Sequence, residues 1–459
     1  MVVGRVRLFA VIVAALAVLS TASSLGAVSQ PSYDTIRIEE DGAGIPYQVW
    51  VEWTPLIVTL PDGGAWAFFS AEVVRGEELG TKKLYAARFD PAAGVWQPAT
   101  AMPGGEIQFG PSAAVGGDGT VHLIYSDRAS DDPGDFSSLV YTKTTPEGTW
   151  TEPIQVAANE NAGHQLSPSL AIDGNGAMHV LWQDQRGVTA EMREASPSNA
   201  DVLGCTLAED GACASPVTVS VRPSPETNAS RPQLEVDGNR LVAVWSTYVG
   251  TTTEELSTAQ LVEWSQITLG EEGATWAAPA TLIERDNGLI GGKLVDVDAD
   301  PTGGVVVVFG RRTDTNVLHL TRLAADSAEW SEPLPVVSGD RGSFPSVAIG
   351  PDGTAYVAFN AGSGMTVRVG AIALGAGQPL ASEVTIISEA EEGAQGRPVV
   401  DVDANGKVWV LYLREPSGGV ANEVRALRGA LISAEPAAAA PATPVPGTPV
   451  ATPAATPEP

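Results

Sequence analysis

The side chains best suited to chemistry in this 459-residue chain are arginines and carboxylates in the unequal segments between strand-like stretches. Arg231, Arg311 and Arg397 are of the type that clamps an anion, because a planar guanidinium donates paired hydrogen bonds to a carboxylate. Arg128, Arg186, Arg312, Arg341 and Arg414 fall in comparable segments, and His164 is the one histidine in a loop suited to ligand contact. Asp127 or Asp184 would then supply an acid to a held substrate. Glycoside cleavage asks for two carboxyl groups at a set separation, or a tyrosine in place of one. A solvated rim of charged loops is the competing reading of these same residues.

Metal and redox chemistry find less support. The two cysteines, Cys205 and Cys213, stand eight positions apart and read as a local disulfide closing CTLAEDGAC in an exported chain. The other histidines, His122, His179 and His319, fall in strand-like stretches. DVDANG (Asp401–Gly406) and DVDADPTGG (Asp296–Gly304) space their aspartates as a calcium loop does, but lack the rest of a twelve-residue EF-hand loop. They read as strand and turn. No metal or cofactor is expected.

Charge narrows the partners. With 55 acidic against 26 basic residues the formal net charge is -29, which opposes nucleic acid and acidic lipid surfaces. The opening MVVGRVRLFAVIVAALAVLSTASSLGAVSQ has a basic start, an apolar run at Leu8–Leu19 and small residues after it. It reads as a secretory leader spanning 1–29, too short in its apolar part for a typical transmembrane span. A Pro/Ala/Thr-rich tail, 434–459, reads as a disordered, extended spacer. Asn228-Ala-Ser230 matches an N-glycosylation acceptor. The expected location is secreted or cell-surface exposed, with no direct membrane insertion after cleavage.

The elements that must position the candidate residues repeat. PSAAVGGDGTVHLIY (Pro111–Tyr125), PSLAIDGNGAMHVLW (Pro168–Trp182), PSVAIGPDGTAYVAF (Pro345–Phe359) and PVVDVDANGKVWVLY (Pro398–Tyr412) share one grammar. Looser copies lie at Thr54–Phe69, Arg231–Trp245 and Lys293–Phe309. Each is an alternating segment, a Gly/Asp/Asn/Pro turn and a second alternating segment, the pattern of a β-hairpin. Seven copies at roughly 50–65-residue spacing, most followed by third and fourth strands, define a repeat architecture. A four-stranded unit cannot bury both its faces, whereas stacking seven around an axis covers them. The expected fold is therefore all-β, a seven-bladed β-propeller over 30–433. Its last unit lacks an outer strand and Tyr33–Glu40 precedes the first unit, so this N-terminal strand would close the ring and remove an open edge.

Tryptophans recur before the fourth strands, at Trp96, Trp150, Trp276 and Trp330, and read as packing residues. The turns before them resemble the Asp-box (BNR) repeat of sialidases, roughly Ser-x-Asp-x-Gly-x-Thr-Trp. LGEEGATW (Leu269–Trp276) carries the Gly, Thr and Trp without the Ser or Asp, and TPEGTW, AAGVW and DSAEW are shorter. The resemblance implies a propeller whose loops after the second strands and before the next units line one face. It implies an exo-glycosidase only where an Arg-Ile-Pro segment and an arginine triad accompany the boxes. Here the early segment is Gly44-Ile45-Pro46, and seven units replace the six of that family's catalytic domain. The leading reading is non-catalytic recognition of an extracellular glycan or surface protein. The alternatives are a sialidase-like glycoside hydrolase and a structural protein-interaction propeller.

Overall fold

The computed structural model describes residues 32–429, apart from 39–46, 50–53, 74–79, 133, 146, 160–162, 190–198, 223–226, 250–260, 271–274, 285–294, 302, 312–316, 326, 337–341, 362–365, 374–380, 387–393 and 416–422. The expected leader and tail lie outside the described residues. All seven hairpins are present as antiparallel pairs. Six turns close alike. The N–H groups of Leu60, Gly116, Asp173, Asp300, Gly350 and Asp403 each donate to the carbonyl four residues on. The glycine three residues along each turn has a φ of 76–97°, a conformation that only glycine adopts without strain.

Third and fourth strands extend the hairpins into antiparallel sheets. Among the described residues five sheets have four strands. A sixth, of ten strands, holds units one and two, joined by a single parallel pair, Lys82 with Ile107. Successive side chains of a strand point to opposite faces, so a strand covered on both sides reads as an unbroken apolar run. Val305–Phe309 is such a run. Val305, Val307 and Phe309 pack with Val244 and Trp264 of the preceding unit, while Val306 and Val308 pack with Val357 and Phe359 of the following one. Among the described residues seven apolar clusters arise this way, each shared by two units. One of them joins Phe69 and Phe89 of the first unit to Trp409 and Leu411 of the last.

The recurrent tryptophans work at these seams. Trp150 lies edge-on to Trp66 of the unit before it, with ring centroids 5.1 Å apart. Trp96 meets Trp409 at 6.1 Å and Trp330 meets Trp264 at 5.5 Å, again on the preceding unit. The cysteines form the expected disulfide, with Cα atoms 6.2 Å apart. Their loop reaches across to unit two, where the Cys213 N–H donates to the Val156 carbonyl at 2.6 Å and Gly211 lies so close to the Tyr141 ring that a β-carbon would not fit. Asn228 sits inside the strand Thr227–Asp237 at 6% exposure, so the folded chain buries this glycosylation acceptor.

The strand expected over Tyr33–Glu40 is found at Ser32–Ile36. It pairs antiparallel with Glu423–Gly429 and is the fourth strand of the last sheet. From there the chain passes to the first unit, where the Ala99 N–H donates to the Arg37 carbonyl at 2.7 Å. Ile36 is 4% exposed within the cluster that joins first and last units. Ile36→Ala should therefore cost about 2–4 kcal/mol in urea unfolding followed by tryptophan fluorescence. A silent substitution would mean that this strand carries no part of the fold's stability.

Candidate functional site

Apart from the Lys82–Ile107 pair, the first strand of each hairpin is a sheet edge, and its outward N–H groups have no partner in their own sheet. Side chains of the preceding unit supply acceptors at a fixed register. The residue after the proline that begins these strands is Ser112, Ser169 or Ser346 in units two, three and six, and Asp296, which follows Val295, takes the same place in unit five. Ser112 Oγ accepts the Leu170 N–H at 2.9 Å, and Ser169 Oγ accepts the Leu234 N–H at 2.9 Å. Asp296 Oδ2 accepts the Val347 N–H at 2.9 Å, and Ser346 Oγ the Val400 N–H at 3.3 Å. Two residues further, Asp298 Oδ2 accepts the Ile349 N–H at 2.6 Å. Asp401 Oδ2 accepts the Thr59 N–H, also at 2.6 Å, which ties the last unit to the first. Asp296, Asp298 and Asp401 of DVDADPTGG and DVDANG thus serve as strand-to-strand acceptors, while Asp403 accepts the Asn405 and Lys407 N–H groups of its own turn and Asp300 pairs with Arg322. Among the described residues no group of three or more His, Cys, Asp and Glu is arranged to hold a metal.

These strands enclose a cavity of about 620 Å³ to which all seven units contribute. Its wall carries Ser169, Gln233, Glu235, Asp298 and Asp401 beside apolar residues. Burial dominates the carboxyl chemistry. It pushes Asp298 up to about 8 against the opposing Ile349 N–H, and Asp401 up to about 6 against the Thr59 N–H. Glu235 is raised well above the ordinary range, first by burial and then by the negative charges of Asp298 and Asp296.

At the start of these strands a second register position stands out, the residue before the proline. Gly110, Ser167, Arg231, Phe344 and Arg397 all have positive φ, between 49° and 61°. Each lies in a β-bulge, where the pairing register shifts between the flanking residues. Arg231 and Arg397 line the cavity, and the Arg397 guanidinium lies 4.5 Å above the Phe344 ring centre.

Of the arginines singled out in the sequence, the structure brings Arg231 and Arg397 to this cavity. Arg311 ends the strand Gly304–Arg311, and its side chain lies outside the described residues, as do Arg312 and Arg341. Arg414 is half-buried on the strand Val408–Glu415, opposite Gln395 and Glu423. Asp184 is 1% exposed. It accepts the Trp182 indole N–H at 2.6 Å, the Arg186 backbone N–H at 2.8 Å and the Arg186 guanidinium at 2.6–3.1 Å. Arg186 also donates to the Ala158 carbonyl. Asp127 accepts the Gly105 N–H at 2.8 Å and the Gln108 amide at 3.3 Å, and burial pushes its carboxyl up. Neither aspartate lines the cavity. Arg128 pairs with Asp131 at 2.8 Å. His164 accepts the Ser137 N–H at 3.1 Å and lies edge-on to Phe136, and burial and then Arg128 hold its proton affinity down. Of the channel carboxyls, Glu235 went unnoticed in the sequence, and Asp298 reads there only as part of a strand and turn. Aligning the hairpins on their turns would have placed both at one register position with Asp401.

No protein-family description matches the sequence, and no curated protein does. Solved structures do match. An ulvan lyase of polysaccharide lyase family PL25 superposes with a TM-score of 0.55 at 10% identity, over 84% of this chain and 94% of its own. The polysaccharide lyase Uly1 gives 0.52 at 10% identity, over 90% and 95%. A protein of unknown function from Dyadobacter fermentans gives 0.52 at 13% identity, over 88% and 100%. At these identities the likeness is one of fold, and the fold is of β-propeller type.

The raised carboxyls set a pH dependence. Asp298 and Asp401 hold their protons more tightly folded than unfolded, where a carboxyl titrates near 3.8. The resulting stability is complete below that value and is lost as pH rises through about 6 and about 8. Scanning calorimetry between about pH 5 and pH 8.5 should show Tm falling as pH rises, with Asp298→Asn flattening the fall. A Tm that climbs across this window, unchanged by the substitution, would contradict the assignment.

Proposed function

We propose that this chain is an exported seven-bladed β-propeller, closed by its N-terminal strand, that recognises a glycan at the cavity mouth without cleaving it. Support for the closed ring comes from the shared apolar clusters, the Asp401–Thr59 bond and the pairing of Ser32–Ile36 with Glu423–Gly429. Support for export comes from the leader-like opening and the disulfide.

The observation that carries the glycan reading is the polar cavity. Its carboxylates, serine and amide offer acceptors for the hydroxyl groups of a sugar, and Arg231 and Arg397 offer donors at the mouth. Two of the similar structures are described as polysaccharide lyases, which agrees with a glycan partner. Binding is favoured over turnover because the oxygens of Asp184 are held by Trp182 and Arg186, and Asp127 by Gly105 and Gln108, both away from the cavity.

A glycan-cleaving enzyme is the second reading. Glu235 and Asp298 favour it, since a carboxyl that keeps its proton near neutrality suits a general acid. A glycan array and a panel of fluorogenic glycosides and uronate polysaccharides separate the two. The expected outcome is binding on the array with no released product. Product release that Asp298→Asn abolishes would establish the enzyme instead. Silence in both assays would sink the glycan reading and leave a protein partner.

A further inference from the structure

The bulge before each inner-strand proline puts five residues into the left-handed region at one register position, and the five side chains are unequal. In unit two the residue is Gly110, for which that conformation carries no steric penalty. In units three, four, six and seven it is Ser167, Arg231, Phe344 and Arg397, for which it does. A following proline disfavours compact backbone further. The bulge itself is met by glycine, so its geometry does not call for an arginine or a phenylalanine. Arg231 and Arg397 line the cavity from this position and Phe344 lies against the Arg397 guanidinium, so large side chains held there in a costly conformation point to a task.

We propose that this position reads the ligand, with Phe344 and Arg397 forming a platform for a sugar ring and Arg231 receiving an acidic substituent of the same saccharide. The inference rests on the glycan reading above and names its ligand class, an acidic saccharide. Three observations support it. The Arg397 guanidinium stacks on Phe344, which fixes a flat surface with a positive charge. Arg231, exposed, belongs to unit four and lines the same cavity as Arg397 of unit seven. Both arginines stand at the mouth, whereas Glu235, Asp298 and Asp401 lie four residues further along their strands, roughly 13 Å for extended chain. The mouth is therefore cationic and the depth acidic, on a chain whose net charge is -29. A carboxylate or sulfate that the whole protein repels finds its donors at this rim.

The strained backbone supplies the test. Arg231→Gly and Phe344→Gly remove the side chain and relieve the conformation together. Isothermal titration would compare three ligands of equal length, an oligogalacturonate, a sulfated fucan fragment and an uncharged isomaltooligosaccharide. The proposal expects binding of one or both acidic ligands, at least about tenfold tighter than the uncharged one. The better acidic ligand identifies carboxylate or sulfate as the group read. Each glycine variant should lose about tenfold or more in affinity while its Tm holds or rises. Equal binding of the uncharged ligand would overturn the acidic class and leave glycan recognition standing. Unchanged affinity in the variants, or a Tm lowered by several degrees, would assign these residues to the fold. Binding of none of the three would overturn the inference, and the glycan array then decides whether the underlying reading falls with it.

Discussion

A sheet edge turned toward a shared axis leaves a row of N–H groups with neither a strand nor bulk water to satisfy them, and this chain answers with side chains from the neighbouring unit. Ser112, Ser169, Asp296, Ser346 and Asp401 each accept an N–H from the unit that follows. A buried N–H left without an acceptor costs roughly 1–3 kcal/mol, so these contacts set how closely and at what height neighbouring strands stand. Between units one and two the corresponding residues are apolar, Leu56 and Val58. That seam is held elsewhere, by the parallel Lys82–Ile107 pair and by Gln108, whose side chain accepts the Leu84 N–H at 3.2 Å and donates to the Pro103 carbonyl at 2.8 Å. Where an aspartate two residues further along the strand is the acceptor, the contact brings a poorly solvated carboxyl into the channel. The displaced titration of Asp298 and Asp401 is thus a by-product of how the strands are fastened.

The same strands generate the surface proposed above for ligand binding. A bulge at the start of each of five inner strands takes one residue and the proline after it out of the pairing ladder. Repetition gives the scaffold its regularity, and the identity of this one residue gives each unit its own character at the rim.

The scaffold was legible because it is written in local terms. Hairpin turns with glycine at a left-handed position, apolar runs and a tryptophan before four of the outer strands are visible in short windows, and the hairpin turns were found where the sequence placed them. The candidate site was only partly legible, for a physical reason. Arg231 and Arg397 were recognisable as charged residues at strand entrances, but their left-handed backbone has no spelling in sequence. Asp184 looked available for chemistry until Trp182 and Arg186, two residues away on either side, were seen to enclose it. Glu235, Asp298 and Asp401 are distant in the chain and share a channel only because their hairpins share a register. Asn228 carries an intact acceptor sequence, and only its burial in a strand reveals that the folded chain does not offer it.

The pairing of Ser32–Ile36 with Glu423–Gly429 has a consequence for the order of events in folding. The two strands are among the first and last parts of the fold to be synthesised, so the last sheet waits on a contact spanning nearly the whole described chain. Until then the intermediate units can stack on one another, but the partner of the opening strand does not exist. Bringing together ends so far apart carries a loop-closure entropy that grows only logarithmically with chain length, and stacking of the intervening units shortens the search further. A release of the nascent chain before Gly429 would leave a stack of sheets with an unpaired edge at each end, a species whose natural partner is another chain like itself.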